Sequence, residues 1–321
     1  MNGHIVADTL PVYLASLVFR KSKLFRESLD SLSYEELLDS ITLQWPQIKG
    51  EGYYEVSART PIGELDPAFQ VARWKGANYP TVIYHHGNNE RPFQRRLTTK
   101  NTFHDIFLAG GEPFPANLIV VRAPFHRSFR LYLKHMGRLS TFTTLISVSV
   151  KMIEALRQYA AEKRTGTAIS GISLGGWVTN LHRAFFNSAD LYIPLLAGTV
   201  PGDVFTGSVY RKLTDRLALN NPEAVAEALD FEQRFAAVKE NNVFPLLARY
   251  DQLIRFERQK ASYGPNIPVA VIDKGHVTGS AASSALRRHI LDHLGSDPAE
   301  NIGTKDGPAF TVQAPTGKAL G

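Results

Sequence analysis

The sequence predicts an α/β protein: a mostly parallel sheet covered by helices on both faces. Two observations carry the prediction. Continuous apolar runs of strand length recur at YPTVIYHHG (79–87), ANLIVVRAP (116–124), GTAISGIS (166–173), DLYIPLLAG (190–198), VFPLLARYD (243–251) and IPVAVIDKG (267–275). Strands buried on both faces have this composition. Between and after them lie helical stripes: Phe142, Leu145, Ile146, Ser149, Ile153, Leu156 and Ala160 recur at spacings of three and four, as do Leu286, Ile290 and Leu294. Alternating β and α units pack as a parallel sheet between helical layers.

The remaining elements follow in order. Residues 9–44 read as helical, with Thr9 capping a helix that has Pro11 in its first turn. Ser33 and Glu36 have the spacing of a capping box. Residues 1–50 are therefore expected to form an N-terminal helical appendage. GYYEVSART (52–60) and FQVARWKG (69–76) read as an antiparallel strand pair opening the main domain, 51–295. Residues 199–242 break the alternation with a polar, helix-prone stretch; an insertion there would sit above the carboxyl ends of the strands as a lid or cap. Residues 296–321, rich in Gly, Pro, Ala and Thr without apolar period, read as a flexible tail.

At 321 residues and 44% hydrophobic, the chain can bury a substantial core. It has no cysteine, which excludes disulfides, thiolate nucleophiles and cysteine zinc sites. The net charge of +6 is a mild excess that a solvated surface accounts for. At the N-terminus, Asp8 precedes the apolar run LPVYLASLVF (10–19), and the basic RKSKLFR (20–26) follows it. That order is wrong for a cleaved leader and the run is short for a bilayer span, so a soluble, cytoplasmic protein is expected. The same order allows peripheral contact with a membrane surface, although packing as an auxiliary helical cap is the favoured reading. No phosphate-cradling loop or nucleic-acid module is evident, and the oligomeric state is not legible.

The chemistry concentrates in Gly171-Ile-Ser173-Leu-Gly175, a G-x-S-x-G pattern between a strand and a helix. A nucleophile on such a turn has a strained backbone and close neighbours, so Gly171 and Gly175 supply room. A base and an acid should follow. His276, after the last strand in DKGHVTG, suits the base; Asp251, ending VFPLLARYD, suits the acid. Asp203 is the rival acid, and Asp273 lies too near His276 along the chain to orient it. His85-His86-Gly87-Asn88 ends the first parallel strand; the backbone N–H of Asn88, with that of Leu174, would hold an oxyanion. His86 and Gly87 support that turn. His85 and His86 alternate across a strand and lack a third ligand, and His289/His293 on the last helix read as a solvated face, so no metal and no cofactor are expected.

With HHGNN as the oxyanion loop, GISLGG as the nucleophile turn and the late Asp and GHV as acid and base, residues 52–295 resemble the serine-nucleophile branch of the α/β-hydrolase superfamily. The resemblance implies a mostly parallel eight-stranded sheet and cofactor-free hydrolysis. The elbow, PLLAGTVPGDVFTGSVY and GHV are also similar to a poorly characterised subgroup of α/β-hydrolase-domain-containing proteins, for which lipid deacylation is an implied activity. The aspartate-nucleophile members, epoxide hydrolases and dehalogenases, are disfavoured by Ser173. The expected function is hydrolysis of a small-molecule or lipid carboxylic ester, lipase-like in type. Thioester or amide cleavage by the same triad, and noncatalytic binding, are the alternatives. PFHRSFRLYLKHMGR (124–138) offers either an apolar groove with a cationic rim or a plain amphipathic helix.

Overall fold

The computed structural model describes residues 2–94 and 99–294; the tail expected at 296–321 lies outside them. The chain opens with α1 (Gly3–Val18), α2 (Tyr34–Ser40) and β1 (Thr42–Gln44), followed by β2 (Gly52–Glu55), β3 (Ser57–Thr60), β4 (Gly63–Leu65), β5 (Ala68–Arg73) and β6 (Thr81–His85). A π-helical turn (His104–Leu108) precedes β7 (Asn117–Arg122), α3 (Phe129–His135), α4 (Leu139–Glu162), β8 (Thr167–Ile172), α5 (Leu174–Phe185) and β9 (Leu191–Leu195). Then come α6 (Gly202–Thr206), a 3-10 turn (Val209–Leu213), α7 (Arg216–Leu219), α8 (Pro222–Leu229) and α9 (Glu232–Ala237). The described residues close with β10 (Leu246–Ala248), α10 (Phe256–Ala261), β11 (Ala270–Ile272), α11 (His276–Ser280) and α12 (Ser283–Leu294).

Eight strands form the main sheet in the order β11-β10-β9-β8-β6-β7-β5-β2, and β5 runs antiparallel to both its neighbours. The expected pairing of β2 with β5 is present, Tyr54 opposite Phe69. In the parallel core His85 stands beside Gly171, and Ile172 beside Leu195. Side chains alternate between two apolar layers. Ile83, Ile119 and Ile169 meet α4 and α5 on one face, whereas Val82, Tyr84 and Val120 meet the π turn and α12 on the other. Burial on both sides is why these strands read as unbroken apolar runs. β10 and β11 are only three residues long; Pro245 and Pro268 supply no N–H where each would begin.

Three expectations about the helices need correction. α1 starts at Asn2, whose side chain accepts from the His4 N–H, so Thr9 does not cap it: its hydroxyl donates to the Ile5 carbonyl at 2.8 Å, and Pro11 lies well inside the helix. Helix is absent from 42–44, which is β1 paired with β3, whereas the capping box of Ser33 and Glu36 at α2 is present. The N-terminal segment packs onto the main domain, with Leu24, Phe25, Leu37 and Ile41 in the same apolar core as α4 and α5. α4 is consequently buried nearly all round rather than along one stripe, because α2 and α8 cover its outer side. Its length and apolarity would suffice to cross a membrane, but 83% of its apolar window is buried inside the fold.

Candidate active site

The carboxyl edge of the sheet gathers the residues singled out in the sequence. Ser173 immediately follows β8, Asp251 follows β10 by three residues, His276 opens α11 after β11, and Asn88 lies in the turn after β6. Parallel strands end at one edge, so segments far apart in the chain converge there.

Ser173 has φ 56° and ψ −113°, a left-handed backbone that costs a non-glycine residue about 1–3 kcal/mol. Its surroundings hold it there. The Ser173 N–H donates to the Leu195 carbonyl at 2.9 Å, and its carbonyl accepts from the Trp177 N–H at 3.0 Å. A Cβ at Gly171 would fall 2.4 Å from the Gly175 carbonyl oxygen, and one at Gly175 would fall 2.1 Å from that of His85. Gly176, unremarked in the sequence, is equally constrained, at 2.5 Å from the Ala197 Cβ. Strand and helix approach too closely here for any side chain.

The serine hydroxyl lies 3.0 Å from His276 Nε2, and His276 Nδ1 lies 2.7 Å from Asp251 Oδ2. With Nδ1–H donating to the carboxylate, Nε2 is left as an acceptor facing the hydroxyl. Asp251 is buried, and its other oxygen accepts from the N–H groups of Leu253 and Ile254 at 2.9 and 2.7 Å. Burial pushes the Asp251 carboxyl above its usual range, while His276 pulls the other way. Asp203, the rival acid, is committed elsewhere: it forms a two-pronged ion pair with Arg255. Asp273 pairs with Arg249 at the surface.

A cavity of ≈ 140 Å³ opens at Ser173, lined by apolar Phe142, Trp177, Phe205 and Leu253 and bordered by Asn88 and Leu174. Leu174 is the first residue of α5, so its N–H has no intrahelical acceptor, and the helix N-terminus favours negative charge. The Asn88 side chain is engaged away from the serine. It donates to the Tyr132 hydroxyl at 3.0 Å, and its oxygen accepts from the Asn89 N–H at 3.1 Å and lies 3.2 Å from His126 Nε2. A Cβ at Gly87 would fall 2.8 Å from Glu90 Oε1 and 3.4 Å from the Ile172 carbonyl oxygen.

His85 and His86 do not point to opposite faces as expected; their rings stack at 4.9 Å, because the strand ends at His85 and the chain turns. Each donates from Nδ1 to the next carbonyl, and His86 Nε2 accepts from the Ala123 N–H at 3.1 Å. Burial holds His85 down to about 4, so these rings are neutral braces of the turn. His289 and His293 also depart from the expected solvated face. One donates to the Phe244 carbonyl at 3.0 Å and the other stacks on the Phe244 ring at 4.2 Å. The 124–138 segment spends Arg127 on Glu55 and Asp66, and Arg138 on Glu27, rather than presenting them as a free rim.

One residue beside the site was given no role by the sequence. Asp8, fully buried on α1, accepts from the N–H groups of Gln252 at 3.0 Å, His276 at 2.8 Å and Val277 at 2.8 Å. It therefore ties together the loops that carry Asp251 and His276. Nearby, His4 bonds Thr278 at 2.9 Å and stacks on Tyr250. A signal was available: Asp8 is the only acid in α1, among mainly apolar residues.

Acetyl xylan esterase 1 from Thermoanaerobacterium sp. JW/SL YS485 superimposes at a TM-score of 0.52 and 13% identity, covering 80% of this chain and 92% of that one. The chain has the α/β-hydrolase fold. An acetyl xylan esterase from Paenibacillus sp. R4 gives a TM-score of 0.51 at 10% identity, covering 81% of this chain and 92% of that one. No protein-family model and no curated protein matches the chain. Within the hydrolase fold the serine occupies the strand-to-helix turn, and residues 199–242 lie between β9 and β10, sending Val204, Phe205 and Tyr210 to the cavity wall.

Proposed function

We propose that the protein is a serine hydrolase that cleaves a carboxylic ester through an acyl-enzyme. The observation that carries this reading is the chain of contacts from Ser173 Oγ to His276 Nε2 at 3.0 Å and from His276 Nδ1 to Asp251 at 2.7 Å, beside an apolar cavity. His276 takes the hydroxyl proton as Ser173 Oγ bonds to the ester carbonyl carbon. The carbonyl oxygen becomes an oxyanion held by the Leu174 and Asn88 N–H groups. On collapse the C–O bond to the alcohol breaks, and the alcohol leaves with the proton from His276. Water then repeats the sequence on the acyl-enzyme, releasing the acid and restoring the serine. Asp251 keeps the imidazole in the acting tautomer and stabilises its charged form.

Phe142, Trp177 and Phe205 would bind the acyl group. The names of the two fold neighbours, both acetyl xylan esterases, agree with ester chemistry. A fluorophosphonate probe tests the reading: wild type should label and Ser173→Ala should not. A folded wild type that never labels would mark a noncatalytic binding protein. A panel of p-nitrophenyl esters of rising chain length, beside thioesters and amino-acid amides, then assigns the bond cleaved.

A further inference from the structure

We propose that the outer face of α1 is a docking surface for an anionic lipid membrane. α1 is an inverted amphipathic helix. Its one carboxylate, Asp8, points inward with Val12, while Val6, Leu10, Tyr13, Leu14 and Leu17 recur at spacings of three and four on the side facing out. Leu10, Leu14 and Leu17 are 54%, 55% and 58% exposed, and Val18 at the helix end is 74% exposed. Among the described residues these six account for half of the large apolar side chains left exposed, all on one helix. A helix that meets water normally shows the reverse pattern, and a contiguous apolar patch of this kind marks a binding surface.

Charge identifies the occupant. Arg20 and Lys21 follow the helix and are exposed, and Arg211 and Lys212 project beside them from the 3-10 turn. The Lys212 ammonium lies 5.3 Å from the centre of the Tyr13 ring, so the cations border the apolar face. Lys23 donates to the Lys212 carbonyl, and Asp215 is the acid that acts on it. An apolar helical face with a cationic flank fits the acyl boundary and phosphate layer of an anionic bilayer. It does not match itself, since a second copy would bring like charges together. Beneath α1 a second cavity of ≈ 180 Å³, walled by Val12, Phe19, Tyr132 and Leu133, shares Asn89, Tyr210 and Leu253 with the cavity at Ser173. A lipid chain held under the docked helix would lie beside the cavity at the serine; its delivery to Ser173 rests on the proposed hydrolysis, whereas docking does not.

Flotation of the full-length chain with phosphatidylcholine vesicles, with and without phosphatidylglycerol, tests the surface. Ser173→Ala protein keeps the vesicles intact during the measurement. Binding is expected with phosphatidylglycerol and should weaken in high salt. Leu10→Glu/Leu14→Glu, at exposed positions and with folding checked by circular dichroism, should lower binding at least about tenfold for each leucine. Arg20→Ala/Lys21→Ala/Lys212→Ala should lower it about fivefold for each charge removed. Absence of flotation, or undiminished flotation of the Leu→Glu pair, overturns the proposal. So does a dimer in sedimentation velocity that the Leu→Glu pair splits, which would assign the face to a second copy. Deletion of residues 295–321 that creates flotation absent from the full chain overturns it too, assigning the face to that segment. Fluorophosphonate labelling of wild type is read separately: a labelled protein that does not float loses docking and keeps hydrolysis, and a floating protein that does not label loses hydrolysis and keeps docking.

Discussion

Asp8→Asn is the perturbation that asks most of this structure, since it alters one atom at a distance from the serine. In the native chain Oδ2 accepts from the Gln252 and His276 N–H groups and Oδ1 accepts from that of Val277, all within 3.0 Å. Asparagine has one acceptor oxygen. Placed at the Oδ2 site it keeps two of the three bonds in uncharged form and turns its NH2 against the Val277 N–H, donor facing donor. A hydrogen bond to a charged group contributes about 1.5–3 kcal/mol, so losing one and weakening two should cost about 2–4 kcal/mol, read as a lower urea midpoint with unchanged slope. The His276 backbone is also freed. A displacement of about 1 Å at a reacting group can cost about 100-fold, so kcat on a short p-nitrophenyl ester should fall by that order with KM little changed. The split between parameters matters, because a merely structural aspartate would lower the folded fraction and leave kcat per folded molecule alone. That last result, or full stability together with full turnover, would refute the positioning role.

The other expectations are narrower. Asp251→Asn should keep the fold but turn an amide NH2 toward His276 Nδ1 and enforce the wrong tautomer, lowering kcat about 10,000-fold in ester hydrolysis assays. Gly175→Ala should cost about 3 kcal/mol or prevent soluble expression, since its Cβ would stand 2.1 Å from the His85 backbone oxygen and strand and helix would have to part; a thermal midpoint equal to wild type would contradict the close packing. Burial opposes the charge on Glu154, yet hydrogen bonds from His182, Arg157 and Ser188 outweigh it and hold the carboxyl down to about 2 from its ordinary 4.5. A carboxyl lowered by folding contributes stability present above its unfolded value and lost as pH falls through the folded one. Urea midpoints should therefore drop from about pH 5 toward pH 2 in wild type, and Glu154→Gln should flatten that part of the profile.

Much of the core was legible because burial on both faces leaves a plain trace. The runs around Val82, Val120, Ile169 and Ile193 could hardly be anything but interior strands, and a serine between glycines at the end of one of them drew attention to the elbow. The edge was less legible. β10 and β11 shrink to three residues at prolines whose effect on pairing depends on the neighbouring strand. His85 and His86 stack because the strand stops between them, and one residue of strand length decides that. That His276 meets Asp251 while Arg255 pairs with Asp203 is announced by no local spacing.

The N-terminal segment separates what the two levels determine. From the sequence alone came the layers, the chain order of serine, acid and histidine, and the need for glycine around the turn, since each follows from periodicity, strand ends or the bulk of a side chain within a few residues. Only the tertiary structure decided which way α1 faces. Helical period says that Asp8 and the leucines lie on different sides, but whether the acid or the leucines turn inward depends on donors more than two hundred residues away, the N–H groups of Gln252, His276 and Val277 that the Asp8 carboxylate accepts from. A buried carboxylate that meets three donors outweighs the exposure of several leucines, and that balance is set by proximity in space, which the order of residues does not record.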